Sequence, residues 1–170
     1  MNFADELYQA MVAADFDARM LAQHLSQFGR LLFIGNGGSA AIASHMAIDF
    51  QKTGGIASLA FNDGAALTCL GNDLGFDQVF EQQLLAHAQV DDCVVAISSS
   101  GKSPNILRAA RVAVETETPL VTFTGFDDDN PLYALGQKNY HIASKDYGIV
   151  ESAHLAMLHA TLREISDARK

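Results

Sequence analysis

The sequence predicts an α/β fold, a doubly wound sheet of about five parallel strands flanked by helices, with an N-terminal helical extension. Two observations carry that expectation. Short unbroken apolar runs, Leu31–Ile34, Cys93–Ile97 and Leu120–Thr124, alternate with stretches of helical spacing. An uninterrupted apolar strand is one covered on both faces, as strands of a parallel sheet are. In addition, two of these runs lead straight into a glycine- or serine-rich turn that opens a helix, Gly35–Ser39 and Ser98–Ser103. In open α/β sheets ligands bind beyond the carboxyl ends of the strands, so these two loops are the expected site.

Taken in order, residues Ala4–Phe28 place Leu7, Met11, Phe16, Met20, Leu21 and Leu25 near helical spacing, as one long helix or two with a break near Asp15. This segment precedes the first strand, so it packs as an appendage on the domain or on a second subunit. The strand Leu31–Ile34 and its glycine turn lead into a helix of small residues. Lys52–Gly55 is a loop and Ile56–Phe61 a short second strand. Gly64–Gly71 is a short helix, closed by Asn72, Asp73 and Gly75. Phe76–Ala88 is helical, with Val79, Phe80, Leu84 and Leu85 on one side. Asp91 and Asp92 turn the chain into the strand Cys93–Ile97. After the serine loop, Pro104 suits the first turn of a helix running to about Glu117. Leu120–Thr124 is the fourth strand, Gly125–Asn130 an acidic loop, Pro131–Leu135 a short helix and Tyr140–Ala143 the last strand. Tyr147–Ala168 closes the chain as a long helix.

With 170 residues, 49% hydrophobic and 18% charged, the chain has the size and composition of a single soluble domain spanning 1–170, residues 1–28 being the extension. A net charge of −9 without any Lys/Arg run argues against direct nucleic-acid binding, which needs a basic face. It leaves open a phosphorylated metabolite held by backbone and hydroxyl donors. No signal-peptide pattern and no apolar run of roughly 20 residues is present, so no membrane partner is expected and the cytoplasm is the expected location. Cys69 and Cys93 are isolated thiols in apolar surroundings, as suits small buried residues in a reducing compartment.

The glycine turn leaves backbone N–H groups open at a helix N-terminus, where the helix dipole favours an anion. Ser39 can cap that helix or contact the anion, with Asn36 and Gly37 in the turn. A glycine turn or a serine cluster alone is ordinary between strand and helix. Two of them in equivalent places point to one ligand. Neither is a dinucleotide or nucleotide fingerprint: Ala40 breaks the GxGxxG spacing, and Gly101-Lys102-Ser103 lacks the upstream glycine of a P-loop. Hydroxyls rather than charges around the anion suggest a sugar phosphate monoester. His45 and Asp49, four apart, share a helix face and can chelate one metal, although a lone helix histidine is more often structural. On the closing helix Glu151 and His159 are about 12 Å apart along an ideal axis and roughly 80° around it, whereas Glu151 and His154 stand at i,i+3. His24, His87 and His141 belong to no constellation, and Asp127–Asp129 suits a solvated loop.

The sequence resembles the sugar isomerase (SIS) domain family and, within it, the phosphoheptose isomerases. The matching pieces are GNGGS at Gly35–Ser39, HxAxD at His45–Asp49, Gly71-Asn72-Asp73 with Gly75-Phe76, ISSSGKS at Ile97–Ser103, TFTG at Thr122–Gly125 and ESAHLAMLH at Glu151–His159. They cover the chain from about Phe28 onward. The resemblance implies an aldose–ketose isomerase converting sedoheptulose 7-phosphate to D-glycero-D-manno-heptose 7-phosphate through an enediol. It assigns phosphate binding to Asn36, Gly37, Ser39, Ser98, Ser99 and Ser103, with Ser100 in the same loop. It places Asp63 and Asp73 near the sugar, Asp49 as catalytic base and His159 as acid. It implies one divalent metal per site, zinc, on His45, Asp49, Glu151 and His159, and a homo-oligomer, a tetramer. Three departures are present. Asp49 stands where the family has Glu and Glu151 where it has Gln, and Lys52 is out of register with an expected basic residue. Relatives that bind sugar phosphates only as regulators or adaptors give the alternative reading, as does isomerisation of another ketose phosphate. Retention of both Asp49 and His159 favours the enzyme.

Overall fold

The computed structural model describes residues 2–170. Five strands, β1 (Arg30–Gly35), β2 (Ala57–Ala60), β3 (Asp92–Ser98), β4 (Leu120–Gly125) and β5 (Lys138–Ile142), form one sheet in the order β2-β1-β3-β4-β5. Every pairing is parallel. The helices are α1 (Phe3–Ala13), α2 (Ala18–Leu25), α3 (Gly38–Lys52), α4 (Gly64–Leu74), α5 (Val79–His87), α6 (Pro104–Glu115) and α7 (Tyr147–Asp167), with a 3₁₀ turn at Phe76–Gln78.

Alternation along the strands divides the core in two. Leu31, Phe33, Val95, Ile97, Val121 and Phe123 face a layer that includes α2, α3 and α7. Leu32, Ile34, Val94, Ala96 and Leu120 face α5 and α6. Because both faces of each central strand are covered, the runs read as continuous apolar stretches, the signature used above. Strand order reverses between β1 and β3, whose ends meet in register at Gly35 and Ile97. The crevice of such a sheet opens at that reversal.

The N-terminal segment is two helices, broken where Asp15 takes φ +47°. Asp17 then caps α2, its carboxylate accepting from the N–H of Arg19 and Met20. The two helices differ in kind. α2 sinks Leu21, Ala22 and Leu25 into the core, so it belongs to the domain proper. α1 lies along α7, buries none of its residues and leaves Phe3, Tyr8 and Val12 more than half exposed.

Three boundaries differ from the sequence expectation. α4 runs through Asn72 and Asp73 to Leu74, because both side chains point to solvent and only Gly75, at φ +99°, stops the helix. Pro131–Leu135 is a turn instead of a helix: five residues are too few to sustain one, and the Leu132 N–H is drawn to the Gly101 carbonyl at 3.2 Å. β5 begins at Lys138, two residues early, and ends at Ile142. Among the described residues no helix is long and apolar enough to cross a membrane.

Candidate active site

The loops after β1 and β3 face each other across the strand-order reversal and line a cleft of about 200 Å³. Its walls carry Asn36, Gly37, Ser39 and the four serines Ser98, Ser99, Ser100 and Ser103. All the phosphate-binding candidates of the two loops are thus brought together. Local backbone chemistry explains why. Gly37 holds φ +54° at the start of α3, a conformation L side chains rarely adopt. A Cβ on Gly38 would meet the Glu151 carboxylate, so a larger residue there would push that side chain aside.

Helix capping marks the cleft as a place for a ligand. α1, α2, α4 and α7 are capped by the side chains of Asn2, Asp17, Asp63 and Asp146. α3 and α6, the helices that open into the cleft, have no side-chain cap, although Ser103 occupies the N-cap position of α6; α5 also lacks one, but it continues directly from the 3₁₀ turn at Phe76–Gln78. The N–H groups of Gly38 and Ser39 on α3 and of Asn105 on α6, with the Ser103 hydroxyl, are therefore open to an anion, since Pro104 has no N–H and the Ile106 N–H donates to Asn105 Oδ1. Ser99 gives independent support. It is 4% exposed, and its Oγ has no hydrogen-bond partner among the described residues. A buried hydroxyl left unpaired is costly unless something else completes it. No Lys or Arg lines the cleft. Lys102, in the middle of the serine loop, is directed to Asp127 at 2.9 Å.

A second cluster lies further along the same two helices. His45 and Asp49 on α3 meet His159 on α7, with one ligand-type atom from each within 4.8 Å of the others. His45 Nε2 lies 3.3 Å from His159 Nε2 and 3.4 Å from Asp49 Oδ2. Both histidines are exposed and Asp49 is half-buried. In a tetrahedral zinc site with bonds of about 2.0–2.1 Å, neighbouring ligand atoms stand roughly 3.3 Å apart. Two of the three separations match that spacing and the third is within 4.8 Å, so two imidazoles and a carboxylate suit such an ion in donor chemistry and lie near its geometry.

Three expectations need correction. Glu151 does not join the cluster within one chain. Its carboxylate sits against Gly38 at the cleft, eight residues before His159, and a helix rise of about 12 Å separates the two. Asp63 and Asp73 do not line the cleft of their own chain. Asp63 caps α4, accepting from the Ala66 N–H at 2.9 Å, and Asp73 lies on the exposed face of α4 beside Asn72. The pairing of Glu151 with His154 is also ruled out. His154 is fully buried, and its Nε2–H donates to the Thr124 carbonyl at 3.0 Å. Burial pushes its pKa down to about 4, so the ring is neutral at physiological pH. Since an unfolded histidine titrates near 6.5, His154 costs native stability only on acidification, progressively from pH 6.5 down to about 4. Its structural work is to fasten α7 to the end of β4, where the Gly125 N–H in turn donates to the Ser99 carbonyl at 2.9 Å.

Two residues of the site were not anticipated from sequence. Tyr147, the first residue of α7, lines the cleft. Asn105 is 3% exposed and pairs with Asn36 from the second turn-and-helix unit. An amide two residues into a helix whose other buried positions are Ile106, Ala109, Ala110 and Ala113 is the signal that could have found Asn105. A larger hollow of about 440 Å³ lies at the opposite, amino end of the strands, between Leu84 and Val90 on one side and Val112 and Thr118 on the other. It holds one carboxylate, Glu117, and no cluster of catalytic side chains.

Comparison with known proteins agrees with this geometry. The SIS domain family profile matches residues 5–125. A phosphoheptose isomerase of Helicobacter hepaticus is 34% identical over 165 residues, covering 94% of this chain and 84% of that protein. One from Solidesulfovibrio magneticus is 37% identical over 158 residues, covering 87% and 72%. The solved structure of a phosphoheptose isomerase from Neisseria gonorrhoeae superposes with a TM-score of 0.86 at 31% identity, over 96% of this chain and 94% of that one. With its switch-point cleft, the two uncapped helices that open into it and a match running through both loops, the chain belongs to the SIS domain family, among the phosphoheptose isomerases.

Proposed function

We propose that this chain interconverts sedoheptulose 7-phosphate and D-glycero-D-manno-heptose 7-phosphate. The observation that carries the reading is the placement of both clusters on the same two helices. The anion cleft lies where α3 and α7 meet at their N-termini, and the His45/Asp49/His159 cluster lies about two turns further along. The uncapped helix ends and the serines hold the phosphate, and the sugar runs toward the cluster. Asp49 removes a proton from C1 of the ketose, leaving the 1,2-enediol, and a proton returned to C2 gives the aldose. His159 moves the accompanying proton between O1 and O2. His45, Asp49 and His159 would hold a divalent metal, zinc by their donor set, which when bound polarises the carbonyl and stabilises negative charge on the enediolate oxygens. A carboxylate engaged with a cation is a weaker base, so the two roles of Asp49 compete. The alternative of a non-catalytic sugar-phosphate sensor is not favoured, because both proton-handling groups are present and in place.

The test is turnover of purified protein with sedoheptulose 7-phosphate, compared with five- and six-carbon ketose phosphates, alongside elemental analysis. Conversion of the heptulose phosphate well above the others is expected. His45→Ala should lose bound zinc and activity together. A wild type without metal and a fully active His45→Ala would refute the metal scheme and leave Asp49 and His159 as a plain acid–base pair.

We also propose a homo-oligomer, a tetramer, working in the cytoplasm. The support is exposed apolar surface in two places. Phe3, Tyr8 and Val12 line α1, and Ile48, beside the catalytic cluster, is 62% exposed. An enediolate is best kept from bulk water, and a neighbouring copy seated over Ile48 would cover both exposed histidines. Sedimentation at micromolar concentration should give a multiple of the 18.2 kDa chain mass, and a monomer would sink the proposal.

A further inference from the structure

We propose that Asn105 is a positioning residue for the anion cleft, which locks the Asn36 amide with an N–H toward the ligand and sets the separation of the two loops. The proposal rests on reading the cleft as the phosphate site.

The hydrogen-bond pattern determines the orientation of both amides. The backbone N–H of Ile106 donates to Asn105 Oδ1 at 3.0 Å, which identifies that atom as oxygen. The group facing it from Asn36 must then be the donor, and Asn36 Nδ2 lies at 2.9 Å. On the other edge Asn105 Nδ2 donates to Asn36 Oδ1, also at 2.9 Å. Both edges of the two amides are therefore paired. Asn36 has one acceptor oxygen and two N–H donors. The pair consumes the oxygen and one donor, and the remaining N–H belongs to a side chain that lines the cleft.

The chemistry of the cleft makes that orientation matter. With no Lys or Arg in its walls, anion affinity depends on the number of neutral donors aimed inward. An amide that can rotate presents its oxygen as readily as its nitrogen, and an oxygen facing a phosphate repels it. Asn105 removes that choice by occupying the oxygen. Asn105 also sits in the first turn of α6, directly after Ser103 and Pro104, so the pair ties the glycine loop to the serine loop across the strand-order reversal. Asn105 is 3% exposed, which shields its side of the pair from competing water.

The experiment uses the full-length protein with inorganic phosphate as probe, followed by steady-state kinetics on the heptulose phosphate. Asn105→Leu should raise the Kd for phosphate and the KM about tenfold, the expected weight of one hydrogen bond to a charged group, while kcat changes far less. Asn105→Asp should weaken phosphate more than Asn105→Leu, because a carboxylate cannot donate to Asn36 Oδ1 and adds negative charge. In the wild type one of the two Asn36 side-chain amide protons should move on phosphate addition, and in Asn105→Leu both should lie at ordinary solvent-exposed amide positions and respond less to phosphate. In an Asn36→Ala background Asn105→Leu should cause no further loss of phosphate affinity, whereas a merely structural role would add its own loss. If Asn105→Leu fails to fold, Asn105→Ser is read in the same way. A wild type that binds phosphate beside variants that bind it equally well overturns the role of Asn105 and leaves the cleft assignment standing. A wild type that binds no phosphate overturns the cleft assignment itself.

Discussion

Replacing Asp49 by Asn is expected to lower kcat for the isomerisation by about a thousandfold, within the range a positioned general base contributes. The carboxylate is half-buried on α3, next to His45 at 3.4 Å, and it is the only carboxylate of the cluster with His45 and His159. Asn keeps the shape and removes the negative charge, and with it the ability to accept a proton and much of the strength as a cation ligand, so metal content is measured alongside kcat. The fold should be untouched, because Asp49 supports the protein through its backbone carbonyl, which accepts from the Thr53 N–H at 2.8 Å, and not through its side chain. Exchange of the C1 proton with deuterated solvent, followed by NMR, reads the step directly. Exchange that continues at the wild-type rate in Asp49→Asn would assign the base elsewhere.

The second large effect is on binding. Ser99→Ala combined with Ser103→Ala should raise KM for the sugar phosphate by roughly a hundredfold, from two lost hydrogen bonds to a charged group. The melting temperature should hardly change. Ser99 Oγ makes no bond within the protein, and Ser103 occupies an N-cap position without capping. Hydroxyls with no partner among the described residues are open to a ligand. Calorimetry with inorganic phosphate and a thermal melt of the same samples separate the two quantities. A large fall in melting temperature with KM unchanged would show that these serines serve the fold and not a ligand.

Glu151 contributes a carboxylate where no basic side chain balances it, although the N-terminus of α3 at Gly38 offers partial positive charge. The cation nearest in sequence, Lys102, is held outside by Asp127, which also pairs with Lys145 at 3.1 Å. Anion binding by this protein is therefore a matter of geometry more than of net charge, which agrees with a chain that carries −9 overall.

What the sequence by itself determined was most of what depends on neighbours along the chain, apart from the ends of α4 and β5 and the turn at Pro131–Leu135. Unbroken apolar runs declared a sheet covered on both sides. Glycines and serines directly after Ile34 and Ile97 marked the two loops, and the i,i+4 step put His45 and Asp49 on one helix face. Tertiary structure decided what depends on distance across the chain. That His159 and not His154 meets His45 follows from how α7 lies against α3: the two histidines are five residues apart, and one fills the core at Thr124 while the other reaches the surface. That Glu151 belongs to the cleft follows from the same packing, since the 12 Å rise between residues 151 and 159 was calculable but the partner at each end was not. The Asn36–Asn105 pair spans 69 positions and leaves no periodic trace. Hydrophobic spacing reports which face of an element is buried. It is silent on which polar group of another element that face will meet, because a hydrogen bond is fixed by position to within a few tenths of an ångström, and only the packed chain defines position that finely.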